Sequence, residues 1–197
     1  SVILPTDSIT VSATITDIDA GGSVLSAKIK YRVNGGDLTE VTMDEQANNV
    51  WSGIIPATNL DSAVVDFYLW AKDNDNMTTT NPADTVKNKY FYLTLNRDLT
   101  IQDVEYSPFG GGFSGYNNYR VTIQGVVTAD TTDLQGDGNQ VSRRVYIQNG
   151  QGPWSGIWVG GLLADPLQRG QRITVSGLIR ESNNNTMIDS LTSIVIN

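Results

Sequence analysis

The stretch QRITVSGLIR (residues 171–180) alternates apolar and polar residues and has a glycine, Gly177, in its interior. A period of two is typical of a β-strand with one buried face, and an interior glycine is typical of a bulge or a sharp bend. The stretch YRVTIQGVVT (residues 119–128) repeats this pattern around Gly125. Two bent strands in one region predict a small, strongly curved β-barrel.

Three more alternating segments accompany these two strands: RRVYIQNG (residues 143–150), SGIWVGG (155–161) and MIDSLTSIVIN (187–197). Five short strands with interior glycines are typical of an OB-fold-like five-stranded barrel. We therefore predict such a barrel over residues 98–197. The segment 96–119 is rich in glycine, asparagine and loop-forming residues, which indicates a joint to a preceding domain.

The first half of the chain also alternates with a period of two, and turn residues interrupt it at short intervals. Seven short strands in roughly 100 residues are typical of an immunoglobulin-like sandwich. No segment keeps a helical period. The sequence thus predicts an all-β chain, with an immunoglobulin-like β-sandwich at residues 1–97 followed by the barrel. The predicted strands of the sandwich span residues 2–4, 9–17, 24–34, 38–43, 50–56, 63–73 and 89–96.

Composition excludes most catalytic chemistry. The chain contains no histidine and no cysteine, so the commonest general base and any thiolate nucleophile are missing, and we expect no enzyme activity. Its formal net charge is −8, from 13 Lys+Arg and 21 Asp+Glu, which disfavours nucleic acid because a basic surface is expected of nucleic-acid binders. No apolar run approaches the length of about 20 residues that spans a bilayer, so we expect no membrane insertion.

The hairpin VYIQNGQGPWSGIWVGG (residues 145–161) holds the candidate ligand-binding residues. If its valines and isoleucines face inward, its aromatic residues lie on the barrel surface where OB-folds bind oligosaccharides and oligonucleotides. Planar rings would stack on a ligand, an amide would read its polar groups, and arginines would meet phosphate or carboxylate. The alternative is that Trp154 plugs one end of the barrel while Trp158 covers a neighbouring loop or the sandwich. The predicted site consists of Tyr146, Gln148, Trp154, Trp158, Arg143 and Arg144.

Two acidic sets are candidate Ca²⁺ sites, although no cofactor is required. In the loop ADTTDLQGDGNQ (residues 129–140), Asp133 and Asp137 have the spacing of the first and fifth positions of an EF-hand loop, but Gln135 and Arg144 stand where further acidic ligands are expected. The second set lies in two loops expected at one end of the sandwich. Its members are Asp17, Asp19, Asp73 and Asp75. For both sets the alternative is a group of solvated aspartates in turns.

A third candidate surface is the outer face of the sandwich. Alternation places Lys28 and Lys30 on a strand beside the one that carries Trp70, with Tyr90 and Tyr92 one strand further. Such a cluster favours either an interaction surface or ordinary cross-strand pairing with a lysine over the Trp70 ring.

The order IQDVEYSP, VTIQGVVTAD, VYIQNGQGPWSGIWV, RGQRITVSGLIRE and TMI, over residues 101–188, resembles the OB-fold accessory domain of secreted bacterial nucleases and surface proteins, often of the Bacteroidetes type. Residues 1–97 resemble the immunoglobulin-like or fibronectin type III-like modules of bacterial surface proteins. In the nuclease family a separate domain performs the chemistry. The resemblance implies a non-catalytic accessory module of an exported protein, extracellular or on the cell surface, with flanking domains of the same polypeptide as partners.

Three functions stay open at this stage. Polysaccharide binding through the barrel aromatics suits the acidic chain, a structural spacer needs no ligand, and presentation of nucleic acid to a neighbouring nuclease domain would follow from the family. The chain opens in mid-pattern at SVILPTDSIT, so we expect it to be a segment of a longer protein.

Overall fold

The computed structural model describes residues 2–109, 112–133 and 143–197. Its contacts divide the described chain into two compact units. One, the sandwich unit, contains residues 3–96 and Phe109, and the other, the barrel unit, contains Val2, residues 97–108 and the described residues from 112 to 197. Within the described residues, no helix has the length and apolar character needed to cross a membrane.

The sandwich unit is a curled sheet of seven antiparallel strands in the order β1-β4-β3-β2-β5-β6, with β7 also paired to β5. The buried side chains of β2, β4 and β5 form its core, with Ile29, Ile55 and Val65 at 0% exposure. The predicted immunoglobulin-like all-β architecture is confirmed. Its strands are β1 (Ile9–Thr14), β2 (Val24–Val33), β3 (Thr39–Glu45), β4 (Val50–Ile55), β5 (Ala63–Asp73), β6 (Thr78–Asn81) and β7 (Tyr90–Thr94).

The local predictions for this unit differ from the structure in three places. The predicted strand at residues 2–4 is only an isolated bridge between Ile3 and Thr94. The strand β6 was not predicted, because its sequence TTTN has no apolar alternation, and it forms by pairing with the end of β5. Tyr90 and Tyr92 do not share the outer face with Trp70. They pair opposite Phe67 and Val65, so they lie on the core side of the sheet, where the Phe67 and Tyr90 ring centroids are 5.4 Å apart.

The outer face of the sandwich unit shows ordinary cross-strand pairing. The Nζ atoms of Lys28 and Lys30 lie 5.7 Å and 5.3 Å from the Trp70 ring centroid. The same two ammonium groups bind the Glu40 carboxylate at 2.6 Å and 2.8 Å. The hydrogen bonds from Lys28 and Lys30 lower the pKa of Glu40 to about 2. The single Glu40 carboxylate thus pairs with both ammonium groups within the sheet itself.

The barrel unit is a closed five-stranded barrel in the order β10-β12-β11-β8-β9, in which β9 pairs with β10 to close the circle. The pairing of β10 with β12 is parallel and the other four are antiparallel. This confirms the OB-like barrel. Its strands are β8 (Arg120–Ala129), β9 (Arg144–Gln148), β10 (Gly156–Gly160), β11 (Arg172–Ser182) and β12 (Asn185–Ile196).

Alternation correctly assigned the interior of the barrel. Val145, Ile147, Ile157 and Val159 all have 1% exposure or less. The predicted bend at Gly177 is confirmed by a register shift between residues 176 and 178, where a Cβ would lie 2.6 Å from the Asp189 carbonyl oxygen.

The glycine in β8 has a different role from the one predicted. The bulge in β8 lies between residues 127 and 129, and β8 is regularly paired with β11 at Gly125. A Cβ at Gly125 would lie 3.1 Å from the Ile101 side chain, so this glycine allows a helix to approach the barrel closely.

That helix, α1 (Ile101–Glu105), was not predicted, because five residues are too few to show a helical period. It begins at a reciprocal capping box between Thr100 and Asp103. Arg97 also donates to both oxygens of the Asp103 carboxylate, at 2.6 Å and 2.9 Å. Burial raises the pKa of Asp103, but the hydrogen bonds from Arg97 and Thr100 outweigh it and hold the pKa below its ordinary value. This pair fixes the start of α1, and the fully buried side chains of Ile101 and Val104 pack the helix on the barrel.

Candidate aromatic cleft

A cleft of about 290 Å³ opens on the barrel unit. Strands β9 and β10 form its floor, the end of α1 lies on one side, and the β11–β12 hairpin lies on the other. The turn of that hairpin holds Asn183 and Asn184 at φ 52° and 61°, a left-handed conformation that asparagine tolerates well. The lining includes the aromatic residues Tyr146, Trp154 and Trp158 and the polar residues Glu105, Asn184, Asn185 and Thr186.

Two aromatic pairs shape the cleft. Tyr146 and Trp158 are directly opposite each other on β9 and β10, and their rings meet edge to face with centroids 5.2 Å apart. Trp154, in the turn between these strands, is 51% exposed and meets the Tyr106 ring edge to face at 5.4 Å. Trp158 is half-buried. Neither indole is a core residue, and both line the cleft.

A glycine makes room for the Tyr146 ring. A Cβ at Gly156 would lie 2.4 Å from the Tyr146 hydroxyl oxygen, which shows that the phenol lies directly across β10. Tyr146 therefore leans from its own strand over the neighbouring one, and this orientation brings its ring against Trp158. Gly156, the glycine in the sequence WSGIW, therefore leaves the space that the Tyr146 ring occupies.

Glu105 is the acidic residue of the cleft. Among the described residues its carboxylate has no hydrogen bond and no ion pair, and the residue is half-buried. Burial and the nearby Glu181 carboxylate together raise the pKa of Glu105 to about 8. Glu181 itself accepts hydrogen bonds from the Ser114 amide at 2.8 Å and the Thr186 hydroxyl at 2.9 Å. The two carboxyl groups therefore have different environments, one hydrogen-bonded and one unpaired.

The residues of the predicted ligand set are only partly brought together. Tyr146, Trp154 and Trp158 all line the cleft. Gln148 does not line it, and its amide nitrogen instead donates to the Gly150 carbonyl at 3.1 Å and the Ser155 hydroxyl at 3.4 Å, which stabilises the β9–β10 turn. Arg143 and Arg144 are exposed at the start of β9 and are not among the lining residues either.

Sequence reasoning missed the sides of the cleft. Asn184 and Asn185 read as turn residues in the sequence, and only the pairing of β11 with β12 brings their hairpin to the cleft. Glu105 was one of 21 acidic residues, and no spacing singled it out. The short helix α1 places it there.

In the acidic loops of the sandwich unit, aspartate side chains accept hydrogen bonds from backbone amides of the same loop. Asp17 accepts from the Asp19 amide at 3.0 Å, and Asp73 accepts from the Asp75 amide at 2.9 Å. The two loops are neighbours, because Ser23 donates to the Asn74 side chain at 3.0 Å. Over the described residues, no group of three or more Asp, Glu, His or Cys side chains is arranged to hold a metal ion. The calcium prediction for these four aspartates stays a prediction.

The acidic loop of the barrel unit is described only at its start. Asp133 accepts from the Asp130 amide at 3.1 Å, and Asp130 in turn accepts from Thr132 and from the Arg169 amide. The hydrogen bonds from Thr132 and from the Arg169 amide lower the pKa of Asp130 to about 2. Asp137 lies outside the described residues, so the second calcium prediction also stays untested.

The architecture and the cleft together define the class: an all-β chain with an immunoglobulin-like sandwich followed by an OB-like barrel that carries an aromatic-lined cleft. No family model matches the chain, and no curated protein matches it. Because one fold can carry many functions, the function must be inferred from the chemistry of the cleft.

Proposed function

We propose that the barrel unit is a non-catalytic glycan-binding module, with the sandwich unit as its support, in an exported bacterial protein. The observation that carries the proposal is the cleft in which Trp154, Trp158 and Tyr146 present ring surface beside side-chain amides. Ligand sites typically combine aromatic walls with a few placed polar groups. The apolar face of a sugar ring would stack on the aromatic walls, and the sugar hydroxyl groups would hydrogen-bond to the polar groups.

The charge of the cleft favours a sugar over a nucleic acid. None of the described residues that line it is a lysine or an arginine, and Glu105 is acidic. Nucleic-acid sites depend on basic groups that neutralise phosphates. Arg143 and Arg144 are exposed but do not line the cleft, so a phosphate chain bound there would meet no cation from the lining.

The extracellular or surface location is part of the proposal. Its support is the resemblance of the barrel motifs to accessory domains of secreted bacterial nucleases and surface proteins. In that setting flanking domains of the same polypeptide would supply any catalytic activity, and the barrel would hold the parent protein on its polysaccharide.

The test is a titration of soluble glycans followed by tryptophan fluorescence. We expect Trp154→Ala and Trp158→Ala each to weaken binding about fivefold or more, since stacking on one ring contributes about 1 to 3 kcal/mol. Trp70→Ala is the matched control, because this indole lies in the sandwich unit beneath Lys28 and Lys30, and it should leave binding unchanged.

Other results would select the alternatives. Binding of single-stranded DNA that weakens steeply with rising salt would favour presentation of nucleic acid. Equal binding by wild-type protein and both barrel tryptophan variants would reject the cleft as the glycan site. The absence of any glycan or nucleic-acid ligand would favour a structural spacer.

A further inference from the structure

We propose that the cleft selects glycans that carry free amino groups, with Glu105 as the residue that binds the ammonium group. This inference rests on the proposed glycan-binding function and names the class of sugar. It is carried by the combination, in one cleft, of three aromatic rings and an unpaired carboxyl group. An ammonium group is attracted both to the faces of aromatic rings and to a carboxylate.

The rings are arranged to leave such faces available. Tyr146 and Trp158 meet at an interplanar angle of 71°, and Trp154 meets Tyr106 at 89°. In an edge-to-face pair one ring covers only part of its partner, so π surface remains open on the cleft side. A cation placed within about 6 Å of a ring centroid is attracted to the ring face, and this attraction becomes stronger as water is excluded.

Among the residues that the structure describes, Glu105 has no partner of opposite charge. The titratable group that faces it from β11 is Glu181, and the one from β9 is Tyr146, whose pKa burial and the Glu105 charge both raise. Strand β10 contributes no titratable residue, and Arg120 of β8 donates to the Ser190 carbonyl. Along α1, Asp103 is paired with Arg97. Among the described residues, the charged group that acts on Glu105 is therefore itself acidic.

A cationic ligand would supply what this site lacks. A half-buried carboxyl group with acidic neighbours is held protonated, and an ammonium group placed beside it favours the ionised form. Binding would then release a proton from Glu105 to solvent. The hydroxyl-binding groups for the rest of the sugar are the amides of Asn184 and Asn185 and the Thr186 hydroxyl oxygen, which donates its proton to Glu181 and can accept from the ligand.

The experiment compares two β-1,4-linked hexamers of equal length, one of glucosamine and one of N-acetylglucosamine, by calorimetric titration at pH 6. We expect the glucosamine hexamer to bind about tenfold more tightly, a ratio within the range of a charge-assisted hydrogen bond to the Glu105 carboxylate. In buffers of different ionisation enthalpy, the wild-type protein should release a proton on binding it. Glu105→Gln should abolish both the preference and the proton release, whereas the exposed Glu45→Gln of the sandwich unit should change neither.

The outcomes separate this inference from the proposed function. Equal binding of the two hexamers, or a preference that survives Glu105→Gln, would overturn the selection of amino groups while leaving glycan binding intact. Binding that is indifferent to Trp154→Ala would overturn the proposed function itself. A tri-lysine peptide tests the other source of ammonium groups: binding as tight as that of the glucosamine hexamer would overturn the assignment to a glycan.

Discussion

Replacing Glu105 by glutamine should make the stability of the barrel unit less dependent on pH. The pKa of Glu105 rises from its ordinary 4.5 in the unfolded chain to about 8 in the folded protein. Between these two pH values the folded state binds more protons than the unfolded state, so the free energy of unfolding falls as pH rises. Below pH 4.5 and above pH 8 this contribution is constant. Glutamine does not ionise, so Glu105→Gln removes this pH-dependent loss of stability.

The size of the effect follows from the same values. For a fully buried group, a rise from 4.5 to about 8 would amount to roughly 5 kcal/mol. Glu105 is only half-buried, and solvent screening reduces the effect to about 1 to 2 kcal/mol. For a chain of this size that corresponds to a difference of roughly 3 to 6 °C in Tm.

The assay is differential scanning calorimetry of both proteins from pH 5 to pH 9. We expect Glu105→Gln to differ least from the wild type at pH 5 and to exceed it by a margin that grows steadily up to about pH 8 and is constant above it. Glu45→Gln, at an exposed position of the sandwich unit, is the matched control. A constant difference between variant and wild type at every pH would refute the reasoning, because no titrating group would then be involved.

Three other substitutions test the supports of the cleft and of the two units. Gly156→Ala should displace the Tyr146 ring, because the new Cβ would lie 2.4 Å from the Tyr146 hydroxyl oxygen. We expect the free energy of unfolding, measured with urea, to fall by about 1 to 3 kcal/mol. Adding Tyr146→Ala to the same chain should relieve this loss. Asp103→Asn should lower stability most near pH 7 and least near pH 2, because the wild-type carboxylate loses its charge as pH falls. An equal loss at both pH values would contradict a stabilising ion pair between Arg97 and Asp103. Lys89→Met should lower the free energy of unfolding by about 3 to 5 kcal/mol, because it leaves the buried Asp66 carboxylate unpaired. Adding Asp66→Asn should restore much of the lost stability, as measured by calorimetry.

The sequence predicted the strands well where one face is buried and poorly where the structure depends on pairing alone. Alternation identified β8 and β11 and the inward side chains of β9 and β10, because a period of two follows directly from a one-sided core. Strand β6 has no such pattern, and α1 is too short to have one.

The candidate site shows the same division. The three aromatic residues of β9, β10 and their turn were predicted because their residue type and spacing are visible in one hairpin. The remaining lining comes from distant segments, because Glu105 precedes Tyr146 by 41 positions and Asn185 follows it by 39. Long-range pairing decides such neighbours, and a single sequence carries no direct record of it.

Glu105 offers a way to separate a functional cleft from an accidental one. A half-buried carboxyl group without a partner lowers stability at neutral pH, and an amide of the same shape would remove that cost. If the cleft had no ligand, Glu105→Gln would be stabilising and otherwise silent. If Glu105 binds an ammonium group, the same substitution should stabilise the protein and weaken binding of the glucosamine hexamer, as expected where a binding site trades stability for function. Measuring both quantities on one variant therefore distinguishes a binding residue from a tolerated defect.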